Sequence, residues 1–145
     1  MNQTRKKIEE LQAKINPLKE KIYSLQEEEI MKVQRPRLLK MVGYCMVSTY
    51  DKNDYGKILD FIEHKDGQIE FILEICSITK EGNPHLCLDN VRPYTNKEWW
   101  DAEIPMHGWK KCPEEEYQLF KAKVLSELNS QKLLRTWIKK NNQLK

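Results

Sequence analysis

Residues 8–25, IEELQAKINPLKEKIYSL, determine how this chain of 145 residues is organised. Apolar side chains recur there at alternating intervals of three and four residues, which is the a/d pattern of a coiled-coil seam. The six seam residues are Ile8, Leu11, Ile15, Leu18, Ile22 and Leu25. This heptad seam predicts a long N-terminal helix from Gln3 to Val33.

Pro17 lies inside this helix and leaves two arrangements open. Proline removes a backbone donor and clashes with the carbonyl one turn earlier, so it kinks or breaks a helix. Asn16-Pro17 would also suit the start of a second helix. Because the heptad register passes Pro17 without a slip, we favour one kinked helix. Its end is expected at Gln34–Arg37, since the residue before Pro36 avoids the helical region. Residues 1–36 would form this arm and residues 37–145 the body.

The positions that flank the seam are basic. With Ile8 at position a, the e and g positions are Arg5, Lys7, Gln12, Lys14, Lys19, Lys21, Gln26 and Glu28. In a parallel homodimer Lys14 would face Lys19 of the partner subunit, and like charges there oppose self-pairing. The flanks suit an acidic face instead. The nearest candidate in this chain is the start of the last helix, Glu114–Glu116, with Glu127, so we expect the two long helices to pack together, with an acidic face of another protein as the second alternative.

The body begins with a predicted antiparallel sheet in residues 40–94. Asp66-Gly67 between two apolar runs is a strong hairpin signal. The four expected strands are Lys40–Tyr50, Lys57–His64, Gln68–Ile78 and His85–Val91.

The spacing of Gly43-Tyr44, Gly56-Lys57-Ile58 and Asn90–Tyr94 resembles that of a Tudor-like small barrel. The resemblance covers residues 40–94. It implies a closed barrel and a cage of aromatic side chains for a methylated ligand. The candidates for such a cage are Tyr44, Tyr50, Tyr55 and Phe71.

Residues 95–145 predict a Trp-rich segment (95–112) and a long C-terminal helix (113–141). Thr95–Glu98 fits a capping box, which predicts a short helix through Ala102, and Ile104–Trp109 is expected to be an ordered loop. Pro113 and the three glutamates after it favour a helix start. The expected fold class is α+β, a small four-stranded antiparallel sheet with a long helix at each end.

Charge and cysteine usage exclude several classes of protein. The net charge of +3 divides into +3 for residues 1–37, −3 for residues 38–94 and +3 for residues 95–145. An acidic body between two basic arms argues against a basic groove across the sheet. The four cysteines are scattered, the charged N-terminus does not resemble a signal peptide, and no run of eighteen apolar residues occurs. We expect a cytoplasmic protein with free thiols and no membrane partner.

No sequence motif identifies a reaction that this protein would catalyse. Five glycines form no phosphate-binding loop. His85 and Cys87 would share one face of a strand but lack a second pair to complete a metal site. Cys112, beside Lys110 and Lys111 at a helix start, is the best candidate for a favoured thiolate. We expect no catalytic residue, no metal and no cofactor.

The most suggestive pattern is a set of cations beside aromatic side chains, which suits stacking on a base and pairing with phosphate. The candidate ligand-binding residues are Arg35, Arg37, Lys40, Arg92, Trp99, Trp100 and Trp109. We expect a non-enzymatic protein that captures an anionic nucleotide-like or nucleic-acid ligand there. A protein-interaction adaptor or inhibitor, which could itself be an oligomer, and an enzyme of an unrecognised class remain alternatives.

The Lys-, Glu- and Asn-rich residues 1–29 resemble small accessory proteins of phages that infect low-GC bacteria. That resemblance implies interaction with a host component, such as a factor of a defence system.

Overall fold

The chain is α+β, as expected, in a computed structural model that describes residues 2–143. Two long helices flank an antiparallel sheet of five strands. In chain order the elements are α1 (Asn2–Leu39), β1 (Cys45–Ser48), β2 (Asp54–Glu63), β3 (Ile69–Ile78), β4 (Pro84–Val91), a 3-10 turn (Lys97–Trp99), β5 (Trp109–Cys112) and α2 (Glu114–Gln143).

The sheet is open, with strand order β4-β3-β2-β1-β5. A barrel would require the two outer strands to pair, so the closed barrel implied by the Tudor-like spacing is wrong. The prediction of four strands was also one short. The fifth strand, β5, pairs antiparallel with β1, bringing Cys45 opposite Cys112. Its Lys110 and Lys111 are exposed, as is common on a sheet edge, where charged residues discourage further pairing.

α1 passes through both of its prolines. It is a single helix with Pro17 and Pro36 inside, so the single-helix alternative is confirmed and the expected end at Gln34–Arg37 is wrong. Pro36 lies in the last turn, and Leu38 beyond it is only 1% exposed. Packing of Leu38 into the core therefore outweighs the local preference of the residue before Pro36.

Two shorter expectations had different outcomes. The capping box at Thr95–Glu98 is not formed, because the segment is a 3-10 turn whose N-cap, Asn96, makes no side-chain capping bond. α2 begins at Glu114, directly after Pro113, and its first turn holds the three glutamates where the helix dipole favours negative charge.

The core has two parts, one on each face of the sheet. Side chains of a strand alternate between faces, and in β3 Phe71 and Leu73 face α1 whereas Cys76 faces α2. The α1 side is completed by Leu38, Met41, Met46, Ile58, Ile104 and Met106, among others. The α2 side is completed by Cys45, Val47, Tyr55, Cys112, Tyr117 and Val124. Each helix thus has its own core, and the sheet lies between them.

Candidate functional site

The heptad seam of α1 is open to solvent. Its six residues are between 45% and 62% exposed, and every side chain from Asn2 to Glu29 is exposed. At about 1.5 Å per residue this stretch is an arm of roughly 40 Å. The surface of a monomer normally carries exposed apolar side chains singly. A continuous row of half-exposed Ile and Leu of this length instead marks an interaction surface.

The seam also points away from the sheet. α1 packs on the sheet through Met31, Gln34 and Leu38, its buried residues. In the register that places Ile8 at position a, these are c, f and c positions, on the outer side of a heptad helix. The a and d positions from Ile8 to Leu25 are therefore turned away from the body, whereas Leu39, a d position at the end of α1, is partly buried against the core.

The expected packing of the seam against α2 is wrong. α1 and α2 lie on opposite faces of the sheet, and the glutamates of α2 have other partners. Lys57 donates to Glu114 over 3.4 Å, and the Tyr55 hydroxyl donates to Glu116 over 2.7 Å. The acidic start of α2 serves to fix that helix on β2, and within residues 2–143 the seam has no acidic partner of that kind.

The energetics of the seam are set by its apolar residues more than by its charges. Full burial of a Leu or Ile stabilises by about 1.5–3 kcal/mol, so covering a side chain that is half exposed gains about 1 kcal/mol. A like-charge contact between exposed side chains costs about 0.2–0.5 kcal/mol. A partner that covers all six residues can therefore overcome several unfavourable charge contacts.

α2 carries a second, shorter apolar surface. Its packed side is formed by Tyr117, Val124 and Leu128, and most of the described side chains after Leu128 are exposed. Helical geometry of about 100° per residue places Leu134 and Trp137 about 80° and 140° around the helix from Val124. Both are more than half exposed. The sequence pattern merged them with the packed stripe, and only this change of phase distinguishes the two.

The predicted ligand-binding residues are distributed over several local structures. Arg35 forms a two-point ion pair with Glu63, with N–O distances of 3.0 and 2.9 Å. Arg37 donates to the carbonyl oxygens of Trp99 (3.2 Å) and Ala102 and to the side chain of Gln34. Both arginines thus fix the end of α1 to its surroundings.

Three further candidates also have structural partners. Arg92 donates to the Gln68 side chain over 2.9 Å. The Trp99 ring stacks on Tyr94, with 4.7 Å between ring centroids, and Trp109 packs against the core on the α1 side. These contacts agree with the view that tryptophans in a small domain commonly belong to its packing.

One cleft contains three of the seven predicted ligand-binding residues. Arg37, Lys40 and Trp100 line a cavity of about 370 Å³ together with Tyr44 and Lys111. The Lys111 ammonium lies 3.9 Å from the centroid of the Tyr44 ring, a cation–π contact. Two acids, Asp101 and Glu103, line the same cleft. Three cations against two anions leave it weakly positive. Lys111 was not among the predicted ligand-binding residues, and the pairing of its strand β5 with β1 was not predicted.

The aromatic cage implied by the Tudor-like spacing is not present. Phe71 is fully buried on the α1 side of the sheet. Tyr55 faces α2, where its ring stacks on Phe120, and burial together with the hydrogen bond to Glu116 raises the pKa of Tyr55 to about 12. The Tyr50 hydroxyl forms an exposed hydrogen bond with the ring of His107. The four rings therefore do not surround a common space.

The environment of Cys112 is the reverse of what its sequence neighbours suggested. Burial, with the nearby charge of Glu116, raises the pKa of Cys112 to about 11, so the thiol stays protonated at neutral pH.

Within residues 2–143 no three side chains of the metal-binding types cluster together. The helices described there include none that is both long enough and apolar enough to cross a membrane.

Comparison with protein-family models, with curated proteins and with solved structures finds no significant match to this chain. The fold and its surfaces are therefore the basis for the function proposed below.

Proposed function

We propose that this protein is a non-enzymatic protein-interaction module whose heptad seam binds along a helix. The observation that supports this most is the exposure of all six seam residues on the side of α1 that faces away from the sheet. Binding a host component, as the resemblance to phage accessory proteins implies, is one form of this function.

The seam supports a binding role better than the predicted set of basic and aromatic ligand-binding residues does. Arg35, Arg92 and Trp99 already have partners that account for their positions. The six seam residues lack a comparable packing role, since each remains about half exposed. Their repeat also has the spacing that a second helix requires.

The test uses a synthetic three-heptad helix with Ile at a, Leu at d and Glu at e and g. Its glutamates would face the basic flanks, and its core would cover the seam. We expect a fluorescently labelled peptide to bind, as followed by anisotropy. Replacing Leu11 and Leu18 by Ser should weaken binding at least tenfold, because two layers of the apolar interface are lost.

A matched control is the α2 variant Leu119→Ser. Leu119 is 75% exposed and lies outside the seam, so this variant should bind the peptide as the original chain does. Failure of the unaltered chain to bind at concentrations where it is monomeric, or equal loss in the control and the seam variant, would contradict the proposal.

The cleft formed by Arg37, Lys40, Tyr44, Trp100 and Lys111 supports a second candidate function, capture of a small anion that carries an aromatic ring. Trp100 is 37% exposed there and Lys40 is exposed. Titration with a nucleoside monophosphate, followed by tryptophan fluorescence, tests this function. The response should weaken steeply as salt is raised, whereas docking on the apolar seam should persist.

A further inference from the structure

We infer that the heptad seam pairs with a second copy of this chain, as a parallel two-stranded coiled coil in register. The inference rests on the proposed function, because it requires that the seam binds a helix, and it names that helix.

The identity of the seam residues favours this pairing. All three a positions are Ile, at residues 8, 15 and 22, and all three d positions are Leu, at residues 11, 18 and 25. In a parallel coiled coil, a β-branched residue at a with Leu at d favours two strands over three or four. Pro17 is at a c position, so its ring lies on the outer side and interrupts no layer.

The placement of the body permits the pairing. The sheet packs on the c and f positions at Met31, Gln34 and Leu38. In a parallel dimer these positions face outward from both helices, so the two bodies lie on opposite outer sides of the coil. The seam can close along residues 8–25 without moving either sheet.

The charges oppose the dimer at only one kind of contact. In parallel register each g residue faces an e residue of the partner subunit. Lys7 then faces Gln12 and Lys21 faces Gln26, both neutral, and only Lys14 faces a cation, Lys19 of the partner subunit. The dimer has two such lysine contacts by symmetry, against twelve half-exposed Ile and Leu side chains that it covers. The flanks weaken self-pairing and do not prevent it.

Two Lys→Glu substitutions, two residues apart, test together whether the partner is a second copy of the chain and whether the two helices are parallel. In the parallel dimer Lys19→Glu turns both repulsive contacts into attractive ones. We expect its dimer dissociation constant, measured by sedimentation equilibrium, to fall about tenfold. Lys21→Glu changes a residue that faces a neutral Gln26, so its dissociation constant should change less than about twofold.

The outcomes separate the alternatives. In an antiparallel dimer Lys21 would face Lys14, so a gain for Lys21→Glu and none for Lys19→Glu would overturn the parallel arrangement. A chain that is monomeric at all concentrations but binds the acidic peptide would overturn this inference and leave the proposed function standing. A monomer that also ignores the peptide would overturn both. Circular dichroism of the variants checks that they fold, which their exposed positions favour.

Discussion

The two long helices are attached to the sheet in opposite ways. α1 is held by its C-terminal end, through Leu38, and its N-terminal arm extends beyond the sheet. α2 is held by its N-terminal end, through Tyr117 and Val124, and its C-terminal end extends. Both free ends carry exposed apolar residues, but only α1 repeats them in a register that continues for three heptads.

This difference shows what kind of partner each surface can specify. A strict a/d repeat defines the face on which a covering helix packs, its residue types favour a number of strands, and the e and g charges that flank it set partner choice and direction. The exposed apolar residues near the free end of α2, Leu133, Leu134, Trp137 and Ile138, form one short patch without a repeat. Such a patch does not specify a partner, whereas the α1 seam does.

The largest expected effect tests the contrast between the anchored and the extended part of α1. Leu38→Ala should lower the free energy of unfolding by about 2–4 kcal/mol, because Leu38 is 1% exposed and its removal leaves a cavity. Leu18→Ala, at a position 62% exposed, should change it by less than about 0.5 kcal/mol at low protein concentration. Urea denaturation measures both.

Protein concentration sharpens this comparison. If the seam is covered in a dimer, Leu18→Ala becomes destabilising as the concentration rises, because only the dimer buries Leu18. The effect of Leu38→Ala on the monomer should be the same at every concentration. A large loss for Leu18→Ala at high dilution would show that the arm packs on its own body.

A smaller effect separates the two arginines at the end of α1. Arg37→Ala should cost about 1–3 kcal/mol of stability, since the carbonyl oxygens of Trp99 and Ala102 lose a charged donor in a partly buried place. Arg35→Ala should cost much less stability, because both side chains of its ion pair with Glu63 are exposed to solvent. Thermal unfolding of both variants measures the difference, and an equal effect would refute the structural role assigned to Arg37.

The smallest effect concerns the anchor of α2. Burial of Glu74 favours its neutral form, but hydrogen bonds from Lys121 and Tyr117 and the charges of Lys121 and Lys57 outweigh this and lower the pKa of Glu74 from its usual 4.5. A group whose pKa is lower in the folded state adds stability above its unfolded pKa. That stability is lost as the pH falls through the folded pKa.

Stability measured from pH 6 down to pH 3 should therefore fall less steeply in Glu74→Gln than in the original chain. Glu81→Gln is a suitable control, because Glu81 is exposed in the turn before β4. If Glu74→Gln and the original chain have the same slope, the contacts from Lys121 and Tyr117 do not depend on the charge of Glu74.

Long, regular patterns were predictable from the sequence, and short or packing-dependent features were not. The repeat of α1 and the alternation of β3 each extend over many residues, so their periods are unmistakable. β5 has four residues, two of them lysines, and its strand conformation depends on β1 lying beside it. The end of α1 depends on the burial of Leu38, which the sequence around Pro36 does not reveal.

The candidate site was predictable only in its composition. The sequence shows that Arg35 and Arg37 are close to each other, but their partners lie 28 and more than 60 residues away. Both arginines are therefore paired with groups of the chain itself, and neither pairing is visible in the sequence. The exposure of the seam is likewise a tertiary property, since it follows from α1 and α2 having separate faces of the sheet.

The direction in which the helices leave the sheet has a consequence for valency. α1 departs past Gln68 in the β2–β3 connection, and α2 departs past Asn83 in the β3–β4 turn, at the other end of β3. A parallel dimer would therefore present two α2 tips at the same end, away from the coil. A target with two matching sites would meet the second tip at a raised effective concentration, which can increase avidity about 10²–10⁴-fold without a new contact. A weak, nonspecific patch on one chain would then act as one half of a bivalent surface.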